Sequence, residues 1–116
     1  MRGRLGDRVR LQHILDAIIE LENYLASADY SVFVSNSMMK FASIKQLEII
    51  GEASDHLTDE LKAMHTEIAW TQIKALRNIF VHEYFGIDTK VVWDIITNDL
   101  PGLKEKVSQV LVRLPE

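Results

Sequence analysis

The sequence predicts an all-α fold: a four- to five-helix up-and-down bundle formed by a single helical domain over residues 1–116. Three observations carry this expectation. Apolar residues recur at intervals of three and four along most of the chain, and cap and turn residues fall between these runs. The one β-branched stretch, Val32-Phe33-Val34, would make a single short strand without a partner. With 116 residues, 47% hydrophobic, 26% charged, 5 Gly and 2 Pro, the chain can bury a core and is neither disordered nor fibrous.

From Asp7 to about Leu25, Leu11, Ile14, Leu15, Ile18, Ile19 and Leu25 keep helical spacing, with Asp16, Glu20 and Glu22 among the polar positions. Residues 26–36 contain Ser27, Ser31 and Ser35 and read as a connection with one short helical turn. A second long helix begins near Ser35 or Ser37 and presents Phe41, Ile44, Leu47, Ile50, Ala53 and Leu57 as its inner stripe. Gly51 lies inside it, marking either the close approach of another backbone or a tolerated defect costing about 1 kcal/mol relative to Ala. Residues 58–69 read as a short or broken helix and a loop around His65-Thr66-Glu67. A third helix runs from Trp70 to about Tyr84 on Ile73, Leu76, Ile79 and Phe80, and Gly86 stands where it would stop. Asp88 or Thr89 caps a fourth helix bearing Val91, Val92, Ile95 and Ile96. Asp99 before Pro101 reads as the cap of a fifth, with Leu103, Val107, Val110, Leu111 and Leu114.

Cysteine is absent, which removes disulfides, thiol nucleophiles and thiolate metal sites and suits a reducing compartment. The first ten residues, MRGRLGDRVR, lack the apolar core of a signal peptide, and no later run approaches a membrane span, so a soluble cytoplasmic protein is expected. Net charge is −4, from 13 Lys and Arg against 17 Asp and Glu, so nucleic acid would have to be held by a local basic patch. Arg2, Arg4, Arg8 and Arg10 form the dense basic segment, read as a charged, partly frayed terminus in preference to a dedicated phosphate site.

The glycines never cluster into a Walker or dinucleotide loop. None of His13, His56, His65 and His82 has a second histidine three or four residues away, so the zinc-protease spacing is missing and no metal or other cofactor is expected. Glu48, Glu52 and His56 follow one another at i, i+4, a row that reads as a solvated polar stripe before a carboxylate–histidine site. No base-reading aromatic cluster or RNA-binding module is present to select a target.

The sharpest feature is Arg77-Asn78-Ile79-Phe80-Val81-His82-Glu83-Tyr84. At about 100° per residue, Arg77 and Tyr84 share nearly one face of a helix, and Asn78 and His82 form an i, i+4 pair. Histidine titrates near neutral pH and can move the proton of a ribose 2′-hydroxyl; arginine offers a permanent charge to a phosphate whose own charge builds in the transition state. Metal-free RNA cleavage needs these two groups. Taken alone, this spacing reads as a capping histidine beside a surface arginine in preference to a catalytic pair, because polar residues are common near helix C-termini.

The surrounding sequence resembles the HepT-like toxin family of the HEPN superfamily over nearly the whole chain. The likeness rests on Leu11-Gln12-His13-Ile14-Leu15-Asp16-Ala17-Ile18, on Leu47-Glu48-Ile49-Ile50-Gly51-Glu52-Ala53, and on Ile68-Ala69-Trp70 followed by Arg77-Asn78 and 82–88. Val92-Trp93-Asp94-Ile95 and Asp99-Leu100-Pro101 extend it. The resemblance implies a HEPN-like fold and a metal-independent endoribonuclease that is the toxin of a toxin–antitoxin pair. Its substrate would be RNA and its partner a minimal nucleotidyltransferase antitoxin. The resemblance makes Arg77 and His82 catalytic, gives Asn78 an assisting role, and makes Tyr84 the site of adenylylation by the antitoxin. It further implies a homodimer in which motifs of both subunits face one cleft; Arg77 and His82, about 140° apart on one helix, would converge more readily with a second copy present. The competing class is a noncatalytic helical module that docks a nucleotidyltransferase or binds nucleotide.

Overall fold

A computed structural model of the protein describes residues 4–77 and 88–114. Among these residues the regular structure is entirely helical, as the periodicity predicts. Three long helices carry most of the core. Helix α1 (Arg4–Tyr24) lies between α3 (Ser37–Asp55) and α7 (Leu100–Arg113) and packs on both. Its Leu11, Ile14, Ile18 and Leu21 are buried against Ile44, Leu47 and Ile50 of α3 and Leu103, Val107 and Val110 of α7. Ile19, expected inside, is exposed, because the buried stripe steps from Ile18 to Leu21 and leaves it on the flank.

The connection after α1 contains the short helix α2 (Tyr30–Ser35), so Val32-Phe33-Val34 is helical and no strand forms there. Its caps are not the serines. Asp29 accepts from Val32 N at 2.9 Å, and Asn36 ends α2 and opens α3 by accepting from Met39 N at 2.9 Å. Phe33 is fully buried, with its ring 5.3 Å from that of Trp93; Tyr30 meets Trp93 edge-on at 5.8 Å. Phe41 departs from expectation, being 55% exposed. The buried face of α3 is centred on Ser43, Leu47, Ile50 and Ser54, and Phe41 lies about 150° around the helix from its centre. Ser43 fits the interior because its hydroxyl donates to Met39 O at 2.8 Å.

Helix α4 (Asp59–Met64) is capped by Thr58, whose Oγ1 accepts from Leu61 N at 3.2 Å. Buried Asp7 of α1 fixes that cap, accepting from Thr58 N at 2.9 Å and from Thr58 Oγ1 at 2.7 Å. One residue on, Arg8 Nη2 donates to Leu114 O at 2.8 Å where α7 ends. These anchors overturn the frayed-terminus expectation for residues 7–10: α1 is tied at its start to α4 and to the end of α7.

The loop that follows is closed by Trp70, whose indole donates to His65 O at 2.9 Å. Helix α5 (Trp70–Ala75) ends in a turn through Leu76 and Arg77; the expected continuation towards Tyr84, and the stop at Gly86, lie outside the described residues. Asp88 caps α6 (Thr89–Asp94), accepting from Lys90 N at 3.0 Å.

The expected break at Asp99 does not occur. Asp99 makes no side-chain cap and has helical dihedrals, and α6 passes into α7 through a π-helical segment at 95–99. Pro101 explains the widening: a proline cannot donate to the preceding turn, and a wider turn, with Leu100 N bonded to Ile95 O, accommodates the missing bond.

Candidate active site

Arg77 owes its place to a missing side chain. Helix α3 packs against α5, and at the crossing Gly51 faces the turn that ends α5. A methyl group on Gly51 would overlap the backbone nitrogen of Arg77 and stand 3.0 Å from Arg77 Cα and from the Leu76 carbonyl carbon. Close backbone approach, one of the two meanings open for this glycine, is therefore the correct one.

One helical turn beyond Gly51, Asp55 meets the same segment. Its carboxylate pairs with Arg77 Nη1 and with Lys74 Nζ, the latter at 3.3 Å, and Glu52 Oε1 stands 3.8 Å from Arg77 Nη1. Burial pushes the Asp55 carboxyl up, but its bond to Lys74 and the adjacent Arg77 charge outweigh burial and hold it below the usual carboxylate value. The guanidinium remains about one-third exposed (32%), so it is gripped on one side and open to a ligand on the other.

The titration of Asp55 has a measurable consequence. A carboxyl held below its unfolded value stabilises the fold fully above that unfolded value, 3.8, and ceases to do so as pH falls through the lower folded value. The difference in Tm between Asp55→Asn and the native chain is expected to stay constant from about pH 7 to about pH 5 and to shrink below about pH 4. Thermal melts across that range check it; a difference unchanged at low pH would show that the carboxylate charge does not hold this contact.

The open side of Arg77 faces a groove of about 380 Å³, within the range of ligand sites. Its charged lining comes from Arg10 and His13 of α1, Lys45, Glu48 and Glu52 of α3, and Arg77 itself. The Glu48-Glu52-His56 row is in the main solvated, as expected: Glu52 and His56 are exposed, and His56 Nδ1 lies 2.9 Å from Glu52 O and 3.4 Å from its Oε2. Its added role is the contact of Glu52 with Arg77. No group of three His, Asp or Glu side chains among the described residues is arranged to hold a metal ion.

Of the residues singled out from the sequence, the structure places Arg77; Asn78, His82 and Tyr84 lie outside the described residues. Sequence reasoning passed over Asp55, Arg10 as a groove residue, His13 and Lys45. The Gly51-to-Asp55 spacing of four was the available signal, since it puts a contact-permitting gap and a carboxylate on one face.

Residues 14–110 match the family described as Ribonuclease HepT-like. The chain is 36% identical over 100 residues to "Putative RNase MJ1380" of Methanocaldococcus jannaschii, covering 86% of this chain and 92% of that protein. It is 35% identical over 100 residues to "Probable ribonuclease HepT" of Thermococcus cleftensis, covering 86% and 91%. A protein of Caldanaerobacter subterraneus, "Putative RNase TTE0752", is 32% identical over 104 residues, 90% of this chain and 93% of its own. No solved structure matches significantly.

Proposed function

The chain belongs to the HepT-like ribonuclease family, and from that premise we propose that it is a metal-independent endoribonuclease acting as the toxin of a toxin–antitoxin pair. The observation that carries the reading is Arg77, braced by Asp55 from behind and open to a groove in front. His82 takes the proton from a ribose 2′-hydroxyl, whose oxygen attacks the adjacent phosphorus. Arg77 steadies the charge that gathers on the phosphoryl oxygens, with Asn78 assisting. The bond to the 5′-oxygen breaks, that oxygen leaves protonated, and the products are a 2′,3′-cyclic phosphate and a 5′-hydroxyl.

The partner in this proposal is a minimal nucleotidyltransferase antitoxin that adenylylates Tyr84. An added AMP group would place phosphate charge next to Arg77, occupying that cation and repelling incoming RNA. The toxin works as a homodimer. Exposed Val34, Met38 and Phe41, at the junction of α2 and α3, give apolar surface that a second copy can cover, which supports this reading. A light-scattering mass near that of one chain at micromolar concentration would count against it.

The direct test is RNA cleavage by the purified protein in EDTA, with the ends of the fragments identified. Cyclic phosphate and 5′-hydroxyl ends, formed without metal, are expected; activity lost in EDTA and restored by magnesium would overturn the mechanism. Growth arrest on expression, relieved by co-expression of a cognate minimal nucleotidyltransferase, tests the toxin assignment. Mass spectrometry after that co-expression should find AMP on Tyr84, and Tyr84→Phe should escape it; a Phe variant modified and silenced to the same degree would remove Tyr84 as the switch.

A further inference from the structure

Transfer of a phosphoryl group from the 5′-oxygen to the 2′-oxygen moves two protons, one off the attacking hydroxyl and one onto the leaving oxygen. In-line geometry sets those oxygens on opposite sides of the phosphorus, so the two proton-transfer groups must approach from different directions. Arg77 keeps its charge at all working pH and fills neither place. The three histidines in the described residues differ sharply. His56 is bonded to the α3 backbone and stands beside Glu52; His65 has its Nδ1 3.5 Å from Glu67 and a side chain only 14% exposed. His13 is exposed, its imidazole makes no hydrogen bond or ion pair among the described residues, and it lines the groove that Arg77 enters.

Helix α1 fixes this placement. Leu11 and Ile14, on either side of His13, are fully buried and hold the helix against α3, while Arg10, one turn earlier, lines the groove beside the imidazole. His13 therefore addresses the groove from α1, and Arg77 addresses it from the end of α5.

We propose that His13 is a catalytic residue, the general acid that protonates the 5′-oxygen as the phosphorus–oxygen bond breaks. The proton leaves the imidazolium for the departing oxygen, the 2′-oxygen to phosphorus bond is formed, and solvent reloads the exposed ring after each turnover. Arg10 and Lys45, from α1 and α3, supply positive charge for the flanking phosphates, while Glu48 and Glu52 face the groove from α3. This assignment rests on the ribonuclease reading above.

The test compares the native chain with His13→Gln on two RNA oligonucleotides, one unmodified and one carrying sulfur in place of the 5′-bridging oxygen at the cleaved position. Sulfur leaves as a thiolate and needs no acid. On unmodified RNA, His13→Gln is expected to lose roughly 10²- to 10⁴-fold in the single-turnover rate, and on the sulfur-bridged RNA to come within about tenfold of the native chain. Binding of an oligonucleotide with a 2′-deoxy residue at the cleaved position should stay within about threefold, and Tm should be unchanged, because the side chain is exposed. Equal loss on both substrates, or a rate within about threefold of native on unmodified RNA, would overturn the assignment while leaving the nuclease reading intact. If the native chain cleaves neither substrate, the nuclease reading fails and the assignment fails with it.

Discussion

Arg77→Ala and His82→Ala are each expected to slow RNA cleavage by roughly 10²- to 10⁴-fold, the range in which a charge stabiliser or an acid–base group ordinarily acts. Single-turnover cleavage of a labelled RNA measures it, and a loss well under about tenfold in either variant would remove that residue from the chemistry. The structure adds a control for Arg77. Its removal leaves the Asp55 carboxylate without the guanidinium, but Lys74 stays 3.3 Å away and water reaches the group, so stability should change little. Arg77→Lys should recover only part of the rate, because an ammonium keeps the charge and loses the planar fork that spans two phosphoryl oxygens.

Gly51→Ala carries the second large effect. Alanine is the better helix former by about 1 kcal/mol, so on propensity alone this change would stabilise α3. The added methyl meets backbone of the α5 turn, which cannot rotate aside as a side chain would. Overpacking of that kind costs about 1–3 kcal/mol or more, so a net fall of roughly 5–15 °C in Tm is expected despite the gain in propensity. Cleavage should fall further than the lost stability explains, because the displaced atoms are those of Arg77 itself. Gly102→Ala supplies the contrast: a methyl there meets nothing within 4 Å, and it should leave Tm unchanged or raise it slightly. If both variants melt alike, the contact at Gly51 is not tight.

Helix spacing made most of this architecture readable, because burying an apolar stripe is a local property of one segment: Leu11, Ile14 and Ile18, or Leu103, Val107 and Val110, point inward whatever their partners are. Gly51 was legible as a question and answered only by the position of α5. Asp55 was not legible, since α3 carries three acids within eight residues and only the landing point of Arg77 selects among them. His13 is the same case, one polar residue on a solvated face until a groove forms beside it. Asp99 and Pro101 misled for a different reason: a cap followed by proline is how a helix begins, and the same pair also fits a helix that widens and carries on.

That widened turn governs where the chain can change length. Val92, Ile96 and Leu100 follow one another at intervals of four, and in an uninterrupted α-helix two such steps would carry the inward face round by about 80°. The π segment slows the rotation and keeps all three on the core before Leu103, Val107 and Val110 take over. Dropping one residue from 95–99 would let the segment close to a regular α-helix, with Val92 and Leu100 seven apart and within about 20° of one face, so Val107 and Val110 would stay inward. Related chains one residue shorter between Asp88 and Leu103 should therefore lack the π turn and keep the inward face of α7, while larger differences in length should fall in loops such as that between α4 and α5.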